Sequence, residues 1–523
     1  MRSRACACVC AVLVALVLAG CEPRYGALHE QWRFSTGDTV AATPAVGSGR
    51  VFVGSWDGYE YALDEVTGIQ KWRTFLGRTP SPCDALGVTS SPLLLGGLAY
   101  LGGGDDNWYA LDMASGSSLW SVPTGPTSTG HYNWSSPAAL NGFAYIGIAS
   151  RCDSPLVQGK LLRVNLATHQ IVNTWKVVPD GQVGGTIWTI PVVDAARNTV
   201  FVTTGNRAYD STGATQKHAE ALVGVDAATL AIKSYWSLPV SDPTPDPDWG
   251  TSPTLFTDSL GRDLVSAANK NGILYAFPRD DLSAGPVWTR RLAAAATGSD
   301  PAAGGVYSNG YFDGQRLYYA SGQTTVGGNA VAGAIRALDP RTGGVLWERA
   351  LPARTFGALT VANGMLVVPS RTALRVLDPA TGTFLYENPL SLYAAATVAN
   401  GRLFIGDFAG VVHAYTYPSS PGAGAEVEIA LAAGCRDATP RSLPAVPAGS
   451  RIQITRRDNG DPATIRLYQG DDCSGQPLLR TTLDPSESQI VRIPESVRAA
   501  ATASLAVTTP VRLTLTREPG SSR

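Results

Sequence analysis

Between Thr186 and Tyr275 the chain sets out four side chains whose chemistry suits a flat, redox-active ring. Trp188 stands in T-I-W-T-I-P, Asn206 in V-T-T-G-N, Asp248 in D-P-D-W-G-T-S-P and Lys270 in A-A-N-K-N-G-I-L-Y. An indole face supports a planar ring, a carboxylate takes a proton, and an ammonium steadies negative charge that develops beside it. An amide oxygen adds a hard ligand for a cation. Each residue also has a purely structural use: Trp as packing between repeats, Asn after Gly in a turn, Asp246-Pro247-Asp248 as a capped turn, and Asn271-Gly272 as a hairpin signal with Lys270 at its flank. Only a fold that gathers all four favours the chemistry.

The elements that must position them read as all-β. In 523 residues there are 56 Gly, 35 Pro, 12 Trp and 19 Tyr against 3 Met, the composition of short strands joined by tight turns. A formal net charge of −1 gives no electrostatic case for nucleic acid or an anionic membrane surface. Arg2 and Arg4 precede an apolar run from Ala5 to Ala19 that ends in L-A-G-C (Leu18 to Cys21). The run is too short for a stable span and reads as a signal segment. L-A-G-C resembles the lipobox of bacterial lipoproteins, which implies a signal peptide over 1–20, lipid on Cys21, a tether over 21–27, and a periplasm-facing protein held to the cell envelope by its lipid alone. Beyond Cys21 stand Cys83, Cys152, Cys435 and Cys473, and an even remainder in an exported chain suggests two disulfides. None lies in a C-x-x-C-H string, so the sequence carries no c-type haem site.

From Trp32 onward one pattern recurs. Three copies are nearly identical: A-L-D-E-V-T-G-I-Q-K-W (Ala62 to Trp72), A-L-D-M-A-S-G-S-S-L-W (Ala110 to Trp120) and A-L-D-P-R-T-G-G-V-L-W (Ala337 to Trp347). Looser copies end at Trp175, Trp236, Trp288 and Tyr386. Each unit reads as a four-stranded antiparallel sheet, with Asp capping the last hairpin, Gly taking positive φ, and the terminal Trp packing on the neighbouring unit. A lone sheet of this kind cannot bury both faces, whereas a closed ring can. Innermost strands are expected at Ala41 to Val46, Thr89 to Leu94, Asn133 to Ala138, Ile187 to Val192, Thr251 to Phe256, Val306 to Phe312, Phe356 to Val361 and Tyr393 to Val398, which makes eight blades. The last unit lacks an outer strand, and H-E-Q-W-R-F (His29 to Phe34) supplies it, closing an eight-bladed propeller over 28–417. Residues 418–425 read as a linker and 426–523 as a small β-sandwich-like domain with Cys435 and Cys473 bridged.

In such a ring the loops entering the innermost strands and those between second and third strands share one face. Strand counting therefore brings Trp188, Asn206, Asp248 and Lys270 to one mouth. Together they resemble the quinoprotein alcohol dehydrogenases, which bind pyrroloquinoline quinone (PQQ) on an eight-bladed propeller, and the A-x-D-x-x-T-G-x-x-x-W repeat resembles that family's tryptophan-docking motif. G-G-T-I-W (Gly184 to Trp188) and T-G-N (Thr204 to Asn206) stand at the family's mutual spacing. D-P-D-W-G-T-S-P followed by A-N-K-N-G-I-L-Y is similar to PQQ-repeat proteins of the polyvinyl-alcohol-dehydrogenase type.

The resemblance implies Trp188 as the floor of the quinone, Asn206 as a Ca²⁺ ligand, Asp248 as catalytic base and further ligand with Asp246 its rival, and Lys270 as the cation at the quinone carbonyl. The family's ligating Glu falls where Asp153 is the only carboxylate, so Asp153 is the expected substitute. The family's disulfide between adjacent cysteines has no counterpart. Cys83 and Cys152 both face the mouth and are expected to pair. A small or polymeric alcohol as substrate and an external electron acceptor such as a cytochrome c complete the implied activity. The contrasting expectations are a scaffold like the BamB-type lipoprotein, also an eight-bladed propeller, which has no use for these four residues at one mouth, and a PQQ-like propeller that has lost its quinone.

Overall fold

Eight antiparallel sheets, seven of four strands and one of five, follow one another from His29 to Thr416. The structure, a computed structural model, describes residues 28–417 except 80–86, 106, 209–215 and 298–302, together with the strands between Val427 and Glu518. Leu28–Tyr417 is one compact unit and the strands beyond Pro418 belong to another. The sheets are the blades of a propeller, numbered here 1 to 8 from their innermost strands: Ala45–Gly47, Leu93–Leu95, Ala138–Leu140, Val192–Asp194, Thr254–Thr257, Tyr311–Phe312, Thr360–Ala362 and Thr397–Ala399. The N-terminal strand His29–Ser35 pairs with Val411–Thr416 and completes blade 8, so both chain ends of the ring share one sheet.

The innermost strands are shorter than the sequence pattern predicts and begin later. Their first residues bond sideways to the neighbouring blade instead of into their own ladder. Thr43 N–H donates to Ser91 Oγ (2.8 Å), Ser91 N–H to Ser136 Oγ (2.9 Å), Ile190 N–H to Ser252 Oγ (2.8 Å) and Ser252 N–H to Asn309 Oδ1 (2.7 Å). Ala395 N–H, on blade 8, donates to Thr43 Oγ1 on blade 1. This explains the recurrent Ser-Pro. The hydroxyl accepts from the blade before, and the proline that follows, lacking an N–H, stands just ahead of the ladder.

At the rim the same logic runs through the Asp–Gly turn. Asp64 Oδ1 accepts from Val66 N–H, Thr67 N–H and the Thr67 hydroxyl, while Gly68 turns with φ +71°. A Cβ on Gly68 would lie 2.6 Å from the indole of Trp32, whose Nε1–H donates to Glu65 O. Trp72 meets Gly116 and Met113 O in the same way, and Trp288 and Trp347 repeat it on Gly343 and Gly382. These four outer-strand Trp are thus seated on the turn of the next blade.

The strands beyond the propeller form two four-stranded antiparallel sheets. One is Val427–Leu431, Val511–Glu518, Arg451–Arg456 and Ser488–Arg492; the other is Gly434–Asp437, Ala503–Val507, Ala463–Gln469 and Leu479–Leu483. Cys435 lies on Gly434–Asp437 and Cys473 outside the described residues, as do Cys21 and Cys83.

Candidate active site

Blade 5 presents its two site residues through one backbone device. The chain enters the blade through Asp246-Pro247-Asp248, and Trp249 bridges to Asn269 at the end of the second strand, Asp263–Ala268. Lys270 N–H donates to Asp248 O (3.1 Å), and Asn269 Nδ2 donates to Pro247 O (2.7 Å). Gly272, at φ +83°, lets the turn close with its N–H on Asn269 O. The turn therefore holds Asp248 and Lys270 side by side. Trp249, fully buried against Trp236 and Tyr275, anchors the entry from below.

Trp188, Asn206, Asp248, Lys270, Asp246 and Asp153, expected at the mouth, are brought together. Lys270 Nζ lies 2.6 Å from Asp248 Oδ1 and 2.8 Å from Asp246 Oδ2. Trp188 Nε1–H donates to Asp248 Oδ2 (3.2 Å), and Lys270 Nζ stands 5.5 Å from the centre of the Trp188 ring. Asn206 Nδ2 donates to Asp246 Oδ1 (2.8 Å) and to Asp153 Oδ2 (3.1 Å). Asp246, read as a rival to Asp248, is the acid that links Lys270 to Asn206. Tyr307, with Lys270 Nζ 5.7 Å from its ring centre, is a neighbour the sequence reading missed.

Three carboxylates share one ammonium in a mostly dry place, and their proton affinities follow. Burial pushes Asp248 well above the usual carboxylate range; Lys270 pulls it back, while Asp246 and Asp153 push it further. Burial raises Asp153 as well, against Lys270 and Asn206. Burial alone would lower Lys270, but Asp248 and Asp246 outweigh it and hold the ammonium charged.

For a flat quinone the residues fit: the half-buried indole of Trp188 is pinned at its edge by Asp248, and a charged ammonium stands beside that ring. For a divalent metal ion they do not. Among the described residues no three His, Cys, Asp or Glu side chains form a metal-holding group. The expected set of Asn206, Asp153 and Asp248 is brought together as a hydrogen-bond and ion-pair network, with Asn206 presenting amide N–H to two acids and Lys270 serving as the cation of Asp246 and Asp248. Asn206 Oδ1 is buried without a donor, a single ligand and not a set. At the same mouth Cys152 is disulfide-bonded, and its expected partner lies outside the described residues.

The ring and its docking tryptophans define a propeller of the PQQ-repeat class. Residues 26–170 and 270–416, more than half of the chain, match the PQQ_2 family model, described as outer membrane protein assembly factor BamB, and the chain belongs to that family. The unmatched stretch between them carries Trp188, Asn206, Asp246 and Asp248. A polyvinylalcohol dehydrogenase of Sphingopyxis sp. (strain 113P3) is 26% identical over 217 residues, 36% of this chain and 32% of that protein. A quinohemoprotein alcohol dehydrogenase of Comamonas testosteroni is 25% identical over 257 residues, 46% of this chain and 32% of that protein. The matches thus span about a third of the length of these relatives. Among solved structures, the quinohemoprotein alcohol dehydrogenase from Comamonas testosteroni superposes with a TM-score of 0.61 at 18% identity, over 76% of this chain and 78% of that one. BamB from Moraxella catarrhalis does so with a TM-score of 0.51 at 15% identity, over 74% and 99%. At these identities the superpositions show the fold.

Proposed function

We infer that this propeller is a PQQ-dependent alcohol dehydrogenase acting on a small or polymeric alcohol. The observation that carries the reading is the Trp188–Asp248–Lys270 contact, because a scaffold gains nothing from burying an acid, an ammonium and an indole edge together at a channel mouth. When bound, the quinone supplies a two-electron acceptor for the hydride of an alcohol carbon. Trp188 offers the face on which a planar ring stacks. Asp248 accepts the hydroxyl proton, its basicity raised by burial, and Lys270 holds the charge that develops beside it. The buried position of both groups excludes water and strengthens each interaction.

An external acceptor such as a cytochrome c is the proposed partner for the electrons. The L-A-G-C segment supports a lipid anchor on Cys21 and a periplasm-facing location, and Cys21→Ala releasing the protein from the membrane fraction checks it. A Ca²⁺ requirement stays outside the mechanism.

The test adds PQQ to the purified full chain, with and without Ca²⁺, and follows the bound-quinone spectrum and alcohol-dependent dye reduction. Quinone binding at micromolar concentration with turnover is expected. No binding in either condition returns the protein to the scaffold reading, which the description of its family model favours.

A further inference from the structure

The position four residues before each innermost strand lies at the channel mouth, and its occupants follow a pattern. On blades 3, 4, 6, 7 and 8 it holds a half-buried aromatic ring: Trp134, Trp188, Tyr307, Phe356 and Tyr393. Blades 5, 7 and 8 pin it by one bridge between the residue before it and the end of the second strand: Trp249 to Asn269, Thr355 to Ser370 and Leu392 to Asp407. On blade 7 Arg371 N–H then donates to Arg354 O (3.1 Å), as Lys270 N–H does to Asp248 O on blade 5. Blade 5 holds Gly250 at the position, and a Cβ there would lie 1.9 Å from Val306 O and 3.6 Å from Lys270 Cγ. The gap in the row of rings is where Lys270 passes. Blades 1 and 2 hold Ala41 and Thr89, backed by two buried rings: Trp56 Nε1–H donates to Thr89 Oγ1 (3.0 Å), which also bonds the Tyr132 hydroxyl (2.9 Å).

Tyr307 stands edge-on to Phe356 (5.7 Å between ring centres, 65°) and Phe356 lies nearly parallel to Tyr393 (5.2 Å, 17°), so blades 6 to 8 carry one continuous wall of rings. Blades 3 to 5 supply Asp153, Asn206, Asp246 and Lys270, and Asp246 and Lys270 keep 21% and 13% of their side-chain surface open. Tyr307 and Tyr393 are both close enough to Lys270 to feel its charge. The mouth is therefore two-sided, apolar along one part and hydrogen-bonding along the other. A cationic ligand is a poor match, because Lys270 stands 5.7 Å from the Tyr307 ring centre and Arg371 5.9 Å from that of Phe356, so these rings already serve the chain's own cations. A wholly apolar ligand would strip water from Asp246 and Lys270 and return no hydrogen bond. A neutral, saturated ring with C–H faces and hydroxyls round its edge answers both parts.

We propose that this mouth binds a pyranose sugar ring, its C–H face against Phe356 and Tyr393 and its edge hydroxyls toward Asp246 and Lys270. Aromatic side chains offer a broad apolar bed, and a few placed polar groups fix orientation on it. The inference deepens the dehydrogenase reading: that the alcohol oxidised is a sugar hydroxyl rests on that reading, whereas binding of the ring does not.

The experiment titrates the full chain, without quinone, with methyl β-D-glucopyranoside, with sorbitol and with benzyl alcohol, following heat or tryptophan fluorescence. PQQ is titrated separately. The glucoside is expected to bind about tenfold more tightly than sorbitol, which carries the hydroxyls but no rigid C–H face. Phe356→Leu, which keeps an apolar side chain but removes the flat ring, brings that ratio to about one, and Phe356→Tyr retains it; thermal melts establish that both variants are folded. A parent protein that does not prefer the glucoside to sorbitol overturns the proposal, as does a folded Phe356→Leu with the preference intact. Benzyl alcohol binding more tightly than the glucoside, and weakened by Phe356→Leu, also overturns it, in favour of an aromatic substrate. A parent protein that ignores PQQ but keeps the glucoside preference sinks the dehydrogenase reading and leaves the sugar site standing.

Discussion

Blades 5 and 7 build the same turn and load it with opposite electrostatics. In blade 5 the paired registers hold Asp248 and Lys270, which neutralise each other at 2.6 Å; in blade 7 they hold Arg354 and Arg371, two like charges spread over aromatic rings. Backbone geometry is therefore the constant of the propeller, and what faces the channel is free to vary from blade to blade. The blade 5 pair satisfies itself. In blade 7 the Arg371 guanidinium rests on the rings of Phe408 and Phe356.

The largest effect that could break this contrast is catalytic. Asp248→Asn preserves shape and the Trp188 hydrogen-bond position but removes the proposed base, and turnover is expected to fall about a thousandfold or more, with quinone affinity changed little. Dye-reduction kinetics beside a spectral PQQ titration read both. Retained turnover transfers the base to Asp246, which shares the same ammonium.

Stability separates the two devices next. Lys270→Met leaves Asp246 and Asp248 without their counter-charge in a buried place and is expected to cost about 3 kcal/mol or more. Arg371→Met removes a cation that, among the described residues, has only rings and a second cation beside it, so its cost should stay within about 0.5 kcal/mol. Urea midpoints of the two variants decide, and similar losses would mean that the Arg371 position is structural after all.

Blade 1 supplies a case of burial with no hydrogen-bond partner among the described residues. Glu60 is fully buried and neither oxygen meets a donor. Burial alone pushes its carboxyl up from 4.5, so the folded chain keeps a proton that the unfolded chain releases above that pH. Stability then falls as pH rises from about 4.5 towards the folded value. Glu60→Gln is expected to gain about 1 kcal/mol at neutral pH and nothing below pH 4.5, a difference visible in paired thermal melts.

The eight-fold ring and the blade 5 site were legible because each leaves a long periodic trace. The eleven-residue Asp–Gly–Trp pattern fixes blade number, and blade number fixes which loops share a mouth. Asp248 and Lys270 stand out since an acid and a lysine in tight turns read as chemistry. Arg354 and Arg371 did not, because P-A-R-T-F and S-R-T look like ordinary loop text until the register of the repeat is laid over Asp248 and Lys270. The innermost strands were read too long, since side-chain bonds between blades leave the same apolar pattern as a ladder. That Asn206 Nδ2 donates to both Asp246 and Asp153 depends on side-chain orientation that no spacing records.

Blade 8 extends the comparison to a third load, and gives the smallest effect. There Asp407 stands in the register of Asn269 and Ser370, with Leu392 as its bridge partner. Each turn is braced from the third strand: Arg375 donates to Ser370 on blade 7, and His413 Nε2 lies 3.1 Å from Asp407 Oδ2 on blade 8, with its Nδ1 2.6 Å from Glu30 Oε1 on the closing N-terminal strand. Burial alone would lower the His413 imidazole, but hydrogen bonds to Asp407 and Glu30 outweigh it and raise the group above its ordinary 6.5. A raised folded value means that the brace contributes fully below about pH 6.5 and fades as pH rises through the folded value, whereas the blade 7 guanidinium brace does not titrate in that range. His413→Gln should therefore lower the melting temperature by on the order of 2 °C at pH 6 and progressively less on the alkaline side. Because Glu30 lies on the strand that closes the ring, the loss should fall on the seam, read as faster amide exchange at His29–Ser35 than at any other outer strand. Exchange that quickens equally in blade 7 would show that the two braces are not independent.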